Sequence, residues 1–181
     1  DSTPLKLNST DKYSWNGVYL FRDGFGTADE TFMSIMANKT PLGHGHFDQG
    51  SFTLYAGSTP LVLDPGVESY FATTKAWYTG SSSHSTMQFA KAGSASYLDT
   101  PSISDNQRFS TNDAIDTMSL RISDPNAGSA GKHTRSIAYV KTDLDAVVIW
   151  DQVKGASTGT VWNLPVVASK LSEIDGNKVE S

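Results

Sequence analysis

Four histidines, His44, His46, His84 and His133, are the only imidazoles in the chain. Two of them stand in its most unusual segment, Gly43–Asp48 (GHGHFD). In an extended strand alternate side chains share a face, so His44, His46 and Asp48 would point to one side. Three ligating or ionisable groups on one face, with Gly43 and Gly45 permitting close approach, do not suit ordinary packing. They suit a metal or catalytic site, since zinc takes imidazole nitrogen and carboxylate oxygen in a tetrahedral shell. The plainer reading is a polar strand edge beside a turn. Asp64 and His84 favour the metal, because each sits at the end of a further predicted strand.

Two other metal chemistries use similar residues. A cupin would carry a glutamate shortly after the paired histidines, where Gly50 and Ser51 stand. A non-haem iron oxygenase would use His46-Phe47-Asp48 with a distant histidine, His84 or His133. The arginine that such an enzyme uses for a 2-oxo acid is missing beyond either candidate, so this remains a runner-up.

The elements that must position these groups read as strands. Of 181 residues, 38% are hydrophobic, 18% are charged and 15 are glycine, and long Leu/Ala/Glu/Lys stretches are missing. This composition indicates an all-β domain rich in turns. Alternating or apolar strand patterns fall at 17–22, 30–37, 50–56, 60–64, 85–90, 117–122, 134–141, 145–153 and 158–166. The short loop Gly57-Ser58-Thr59 marks a hairpin. Turns at this spacing fit an antiparallel β-sandwich or a barrel. Residues 65–83 form a long loop, of a length usually functional or pinned by something. Residues 1–16 read as a connecting segment and 17–181 as the sandwich domain, truncated at its C-terminal end. The start at Asp1 and the stop within a predicted strand at Lys178–Val179 read as a fragment of a longer chain. Trp150 and Trp162 read as core, His133 as surface and Glu68 as solvated.

The net charge of −5 and the lack of any basic run longer than two residues argue against nucleic acid. A local basic or metal-lined patch could still receive an acidic polysaccharide. There are no cysteines, hence no disulfides. No apolar run is long enough for a membrane-spanning helix.

The segment GHGHFDQGSFTLYAGSTPLVLDPGVESY, followed by SSSHSTMQF, resembles the signature region of heparinase II/III-like and alginate lyases. The resemblance implies the β-sandwich part of a polysaccharide lyase, a periplasmic or secreted enzyme group in which a helical toroid precedes the sandwich. It implies a structural zinc ion held by His46, Asp64 and His84, tying the long loop to the sheet. It implies that His44 faces the sugar cleft as a catalytic group, that Tyr70 lines the cleft, and that Asp48 and Gln49 brace the histidines. The expected reaction is β-elimination in a uronic-acid-containing polymer, alginate or heparin-like, with other catalytic groups supplied by the toroid. A non-catalytic carbohydrate-binding sandwich is the alternative.

Overall fold

A computed structural model of the chain describes residues 11–13, 17–38, 45–69, 71–89, 102–103, 108–123, 132–154 and 160–167. The described part is almost wholly antiparallel β. One sheet runs in the order β1 (Asp11–Tyr13), β2 (Val18–Asp23), β3 (Thr31–Met36), β4 (Phe52–Ala56), β5 (Thr59–Val62). The second holds β7 (Ser102–Ile103), β8 (Arg108–Thr111), β9 (Ile115–Ser123), β10 (Lys132–Val140) and β11 (Ala146–Lys154). Its order is β11-β10-β9-β7, with β8 also paired to β9. A small ribbon joins β6 (Met87–Phe89) to β12 (Thr160–Trp162). The helix α1 (Lys75–Thr79) and a 3-10 turn at Ser81–Ser83 lie within the predicted long loop. β1 lies in the segment read as a connector and forms an edge strand on β2.

Alternation explains how the sheets face each other. Thr31, Met33 and Ile35 of β3 are buried, while Phe32, Ser34 and Met36 are only partly so. Met118, Leu120 and Ile122 share the buried face of β9, as the sequence pattern predicts. These side chains meet Tyr19, Phe21, Ile137 and Tyr139 in one core between the sheets. Phe109 of β8 packs against Tyr19 and Phe21 across that core, with ring centroids 5.1 and 6.0 Å apart. Burying each large side chain stabilises by roughly 1.5–3 kcal/mol, which makes the paired inner faces the main source of stability.

Several expectations are corrected by the phase of the strands. On β11 the half-buried positions from Val147 onward are Val147, Ile149, Asp151 and Val153, so Trp150 points outward and is 70% exposed. Trp162 is 46% exposed. Alternation reveals a period but not which face is inward. His133, expected at the surface, is buried, because β10 turns His133, Arg135, Ile137 and Tyr139 inward together. Residues 45–50 form no strand. They pass through a turn closed by Ser51 N–H donating to Asp48 O at 2.8 Å, with Gly50 at φ 81°.

Gly17 opens β2 with φ 68°, and a Cβ there would lie 2.4 Å from the backbone N and Cα of Asn38. Backbone cannot yield as a side-chain tip can, and positive φ adds strain. Gly17→Ala is therefore expected to destabilise the fold by about 1–3 kcal/mol, measured by urea unfolding; a variant as stable as the parent would refute this account of the β2–β3 junction.

Candidate metal centre

Three segments far apart in sequence deliver the cluster. Asp64 lies just beyond β5, where Leu63 N–H donates to Pro165 O at 3.1 Å. Its Oδ1 accepts from Gly66 N–H at 2.9 Å, a local turn that leaves Oδ2 aimed elsewhere. His84 follows the 3-10 turn, its own N–H donating to Ser81 O, and is completely buried. His84 Nδ1 and Asp64 Oδ2 are 2.7 Å apart. His46 precedes Phe47, whose N–H donates to Thr79 O at 2.8 Å and whose carbonyl accepts from Ser81 Oγ at 2.6 Å. These bonds fasten the His46 segment to the end of the long loop. The His46 and His84 rings lie 5.2 Å apart.

One potential ligand atom from each of His46, Asp64 and His84 falls within 4.8 Å of the others. The structure thus brings together the three residues singled out as ligands. The carboxylate in the cluster is Asp64 and not Asp48, which argues against the iron-oxygenase arrangement.

The donor set suits zinc on its own chemistry. Two imidazoles and one carboxylate are donors zinc accepts. His84 Nε2 is buried without a hydrogen-bond partner among the described residues, an arrangement costly for a polar atom unless something ligates it. Burial and then the nearby His84 hold the His46 pKa below its ordinary value, outweighing Asp64, so its lone pair is available at neutral pH. Burial would raise Asp64, but its hydrogen bond to His84 and the charge of that ring keep it below the usual carboxylate range. The residues fit the ion.

The remaining predicted site residues fare differently. His44 and Tyr70 lie outside the described residues. Asp48 and Gln49 are buried, and Gln49 Nε2 donates to Asn38 Oδ1 at 3.2 Å. Glu68 accepts from Thr74 Oγ1 at 2.8 Å on the surface. Trp77 is 53% exposed and meets Tyr78 edge to face.

Arg135 also belongs to this site, though no sequence motif marks it. Its Nε and one terminal nitrogen each donate to Asp151 at 2.9 Å. The other terminal nitrogen donates to Gly50 O at 2.7 Å and Ser85 O at 2.6 Å. His133 Nε2 lies 2.6 Å from the same Asp151 carboxylate. One buried guanidinium therefore ties the turn after His46 to the residue after His84 and anchors both on β10. Burial would raise Asp151, but hydrogen bonds from His133 and Arg135 and their charges hold it well below the usual carboxylate range. The signal was present in the sequence: Arg135 shares the phase of Ile137 and Tyr139 on a predicted strand.

An antiparallel sandwich with a His/Asp/His cluster at the loop end of one sheet is the class that fold and site define. Residues 14–174 match the family described as Heparinase II/III-like, C-terminal, and the chain belongs to that family. Among solved structures it is similar to heparan sulfate lyase HepC from Pedobacter heparinus, with 22% identity, 86% of this chain and 24% of that chain covered, and a TM-score of 0.66. It is also similar to a heparinase III gene product, with 20% identity, 91% and 25% covered, and a TM-score of 0.70. At these identities the likeness is one of fold. The chain spans about a quarter of the length of those proteins. A search of the curated proteins gives no match.

Two outcomes are expected. Arg135→Met strands the Asp151 carboxylate and two carbonyls, and should cost about 3–5 kcal/mol, as removal of one partner of a buried pair does; denaturant midpoints check this. The Asp48 carboxyl is pushed up to about 6, by burial above all. In metal-free protein the folded state then binds the extra proton between about pH 4 and 6, so stability falls as pH rises through that window. Asp48→Asn should flatten that part of the stability–pH curve; an unchanged curve would count against the assignment.

Proposed function

We propose that this chain is the β-sandwich part of a polysaccharide lyase that cleaves a uronic-acid-containing polymer by β-elimination and holds one structural zinc ion. The observation that carries the reading is the convergence of His46, Asp64 and His84 within 4.8 Å, in a chain of the heparinase II/III-like C-terminal family.

When bound, zinc would supply a fixed cross-link between the segments bearing those three residues. Such a link offsets the loop-closure entropy of residues 65–83. His46 and Asp64 would be held from the exposed side and His84 from the buried side. His44, two residues from His46, would be turned toward the sugar, where it binds or neutralises the uronate carboxylate. Tyr70, in the loop pinned by Asp64 and His84, would line the same cleft. The exposed rings of Phe71 and Trp77 in the same loop suit a wall that another part of the protein completes.

The chemistry follows from the substrate. The C5 proton of a uronate is acidic because it lies α to the carboxylate. Neutralising that carboxylate stabilises the enolate-like intermediate. A base takes the C5 proton, the C4–O bond breaks with its electron pair leaving on oxygen, a C4–C5 double bond forms, and an acid protonates the departing oxygen. In this reading the base and acid come from a helical toroid outside this chain, and the chain contributes His44, Tyr70 and one face of the cleft. Heparin-like polymer and alginate are both candidate substrates. A periplasmic or secreted location goes with a polymer of that size.

Protein prepared without chelator is expected to contain about one zinc per chain by elemental analysis, as three protein ligands and a water would hold. His84→Ala should lose it. Zinc-free protein at neutral pH would defeat the metal assignment. Appearance of unsaturated uronate absorbance on alginate, heparin or heparan sulfate, in the protein that carries this domain, tests the activity. No product on any of them would favour a purely carbohydrate-binding sandwich.

A further inference from the structure

The outer face of the second sheet is the side turned away from the metal cluster, whose supports reach the inner face of that sheet through Arg135. Strands β8 to β11 carry two acidic residues, Asp116 and Asp151, and both are turned inward by the strand phase. The outward positions hold Arg108, Arg121, Lys132 and Lys154, all exposed. In a chain of net charge −5 this face is therefore purely cationic among its described residues.

Register sets these groups in rows. Arg108 pairs with Ser119, Ser119 with Ser136, and Ser136 with Trp150, one straight line across four strands. Three strand spacings make this row roughly 14 Å long. The next row is Arg121, Thr134 and Gln152, and the one beyond pairs Lys132 with Lys154. Trp150 at 70% exposure and Val148 at 54% border a groove of about 460 Å³ between Arg108 and β11. The groove is lined mainly by apolar atoms, Phe109, Met118 and Ile137 among them, with the hydroxyls of Ser119 and Ser136 also on its wall, so the exposed Trp150 ring is a flat stacking surface with hydrogen-bonding groups beside it. The cations flank it without an acidic partner among the described residues.

We propose that this face is a second, non-catalytic binding site for an anionic polysaccharide. A sugar ring stacks on Trp150, the hydroxyls of Ser119 and Ser136 meet its polar edge, and Arg121, Lys132 and Lys154 pair with sulfates or carboxylates further along the strand. The choice of occupant rests on the lyase reading; the site itself does not depend on the metal. Its effect is to keep polymer on the protein between encounters with the cleft.

The test uses calorimetric titration of the chain with a heparin octasaccharide, an oligoalginate and a neutral dextran oligomer. The acidic probes are expected to bind with salt-sensitive affinity and dextran to bind weakly or not at all. Trp150→Ala should weaken binding on the order of tenfold, one desolvated aromatic contact. Arg121→Ser with Lys132→Ser should weaken it comparably and reduce its salt dependence. All three positions are exposed, so the variants should keep the parent's melting temperature. Unchanged affinity in both variants overturns the proposal. So does a dimer in sedimentation that Trp150→Ala dissociates, since a second copy would then be the occupant. Zinc content of the chain, with lyase activity of the protein that carries this domain, separates the two readings. Binding lost with Trp150→Ala in a protein without either would keep this site and sink the lyase assignment. Zinc and activity with unaltered binding in Trp150→Ala would do the reverse.

Discussion

The buried ion pair between Arg135 and Asp151 is the constraint on which the rest of the site depends. A guanidinium removed from water must find partners for its donors, or the fold loses several kcal/mol. Here the partners are the Asp151 carboxylate on β11 and the carbonyls of Gly50 and Ser85. Those carbonyls belong to the two segments that carry His46 and His84. The same demand that makes Arg135 costly to bury therefore fixes the relative position of two candidate ligands. His133 shares the carboxylate and fills the remaining polar space.

The sandwich is accordingly divided along its length. Toward one end the space between the sheets holds Tyr19, Phe21, Met118, Ile137 and Tyr139, a core held mainly by exclusion of water, with the Tyr139 hydroxyl donating to Asp145 Oδ1 at 2.7 Å. Toward the other, the inner face of β10 changes to Arg135 and His133, and irregular chain from residues 45–51 and 80–86 replaces the facing strands. Ser85 illustrates how that chain is held without regular pairing. Its hydroxyl accepts from Phe52 N–H at 2.6 Å and donates to Phe52 O at 2.7 Å, completing the backbone's hydrogen bonds where no strand can. Rigid, irregular backbone on a sheet scaffold is the usual place for a site, because it lets three distant residues point at one spot.

Charge is partitioned in the same way. Inward acids are neutralised by buried partners: Asp151 by Arg135, and Asp116 by Lys141, which lie 2.8 Å apart. What remains on the outer face of the second sheet is cationic. A chain acidic overall can thus present one face suited to an acidic polymer, since the field a ligand meets is local within about one Debye length, roughly 8–10 Å in physiological salt.

The sequence alone determined the strand content and the antiparallel class, and its resemblance to a family pointed to His46, Asp64 and His84. Composition and period two are local properties, and the ordered string of HxHxD, LDPG and Ser-His-Ser is rare enough to mark its family. It did not determine which face of a strand looked inward, because alternation is symmetric. Alternation therefore puts Trp150 in the core where the structure exposes it, and the neighbouring Lys132 and Arg135 make His133 read as surface although it is buried. Nor could the sequence show the turn over residues 48–51, where Gly50 takes a positive φ and a Cβ would run into Ile122 of the facing sheet. Only the tertiary structure decided that Asp64, and not Asp48, meets His46 and His84, and that Arg135 binds their segments together. Burial and hydrogen-bond satisfaction are properties of the packed chain, and no single stretch of residues contains them.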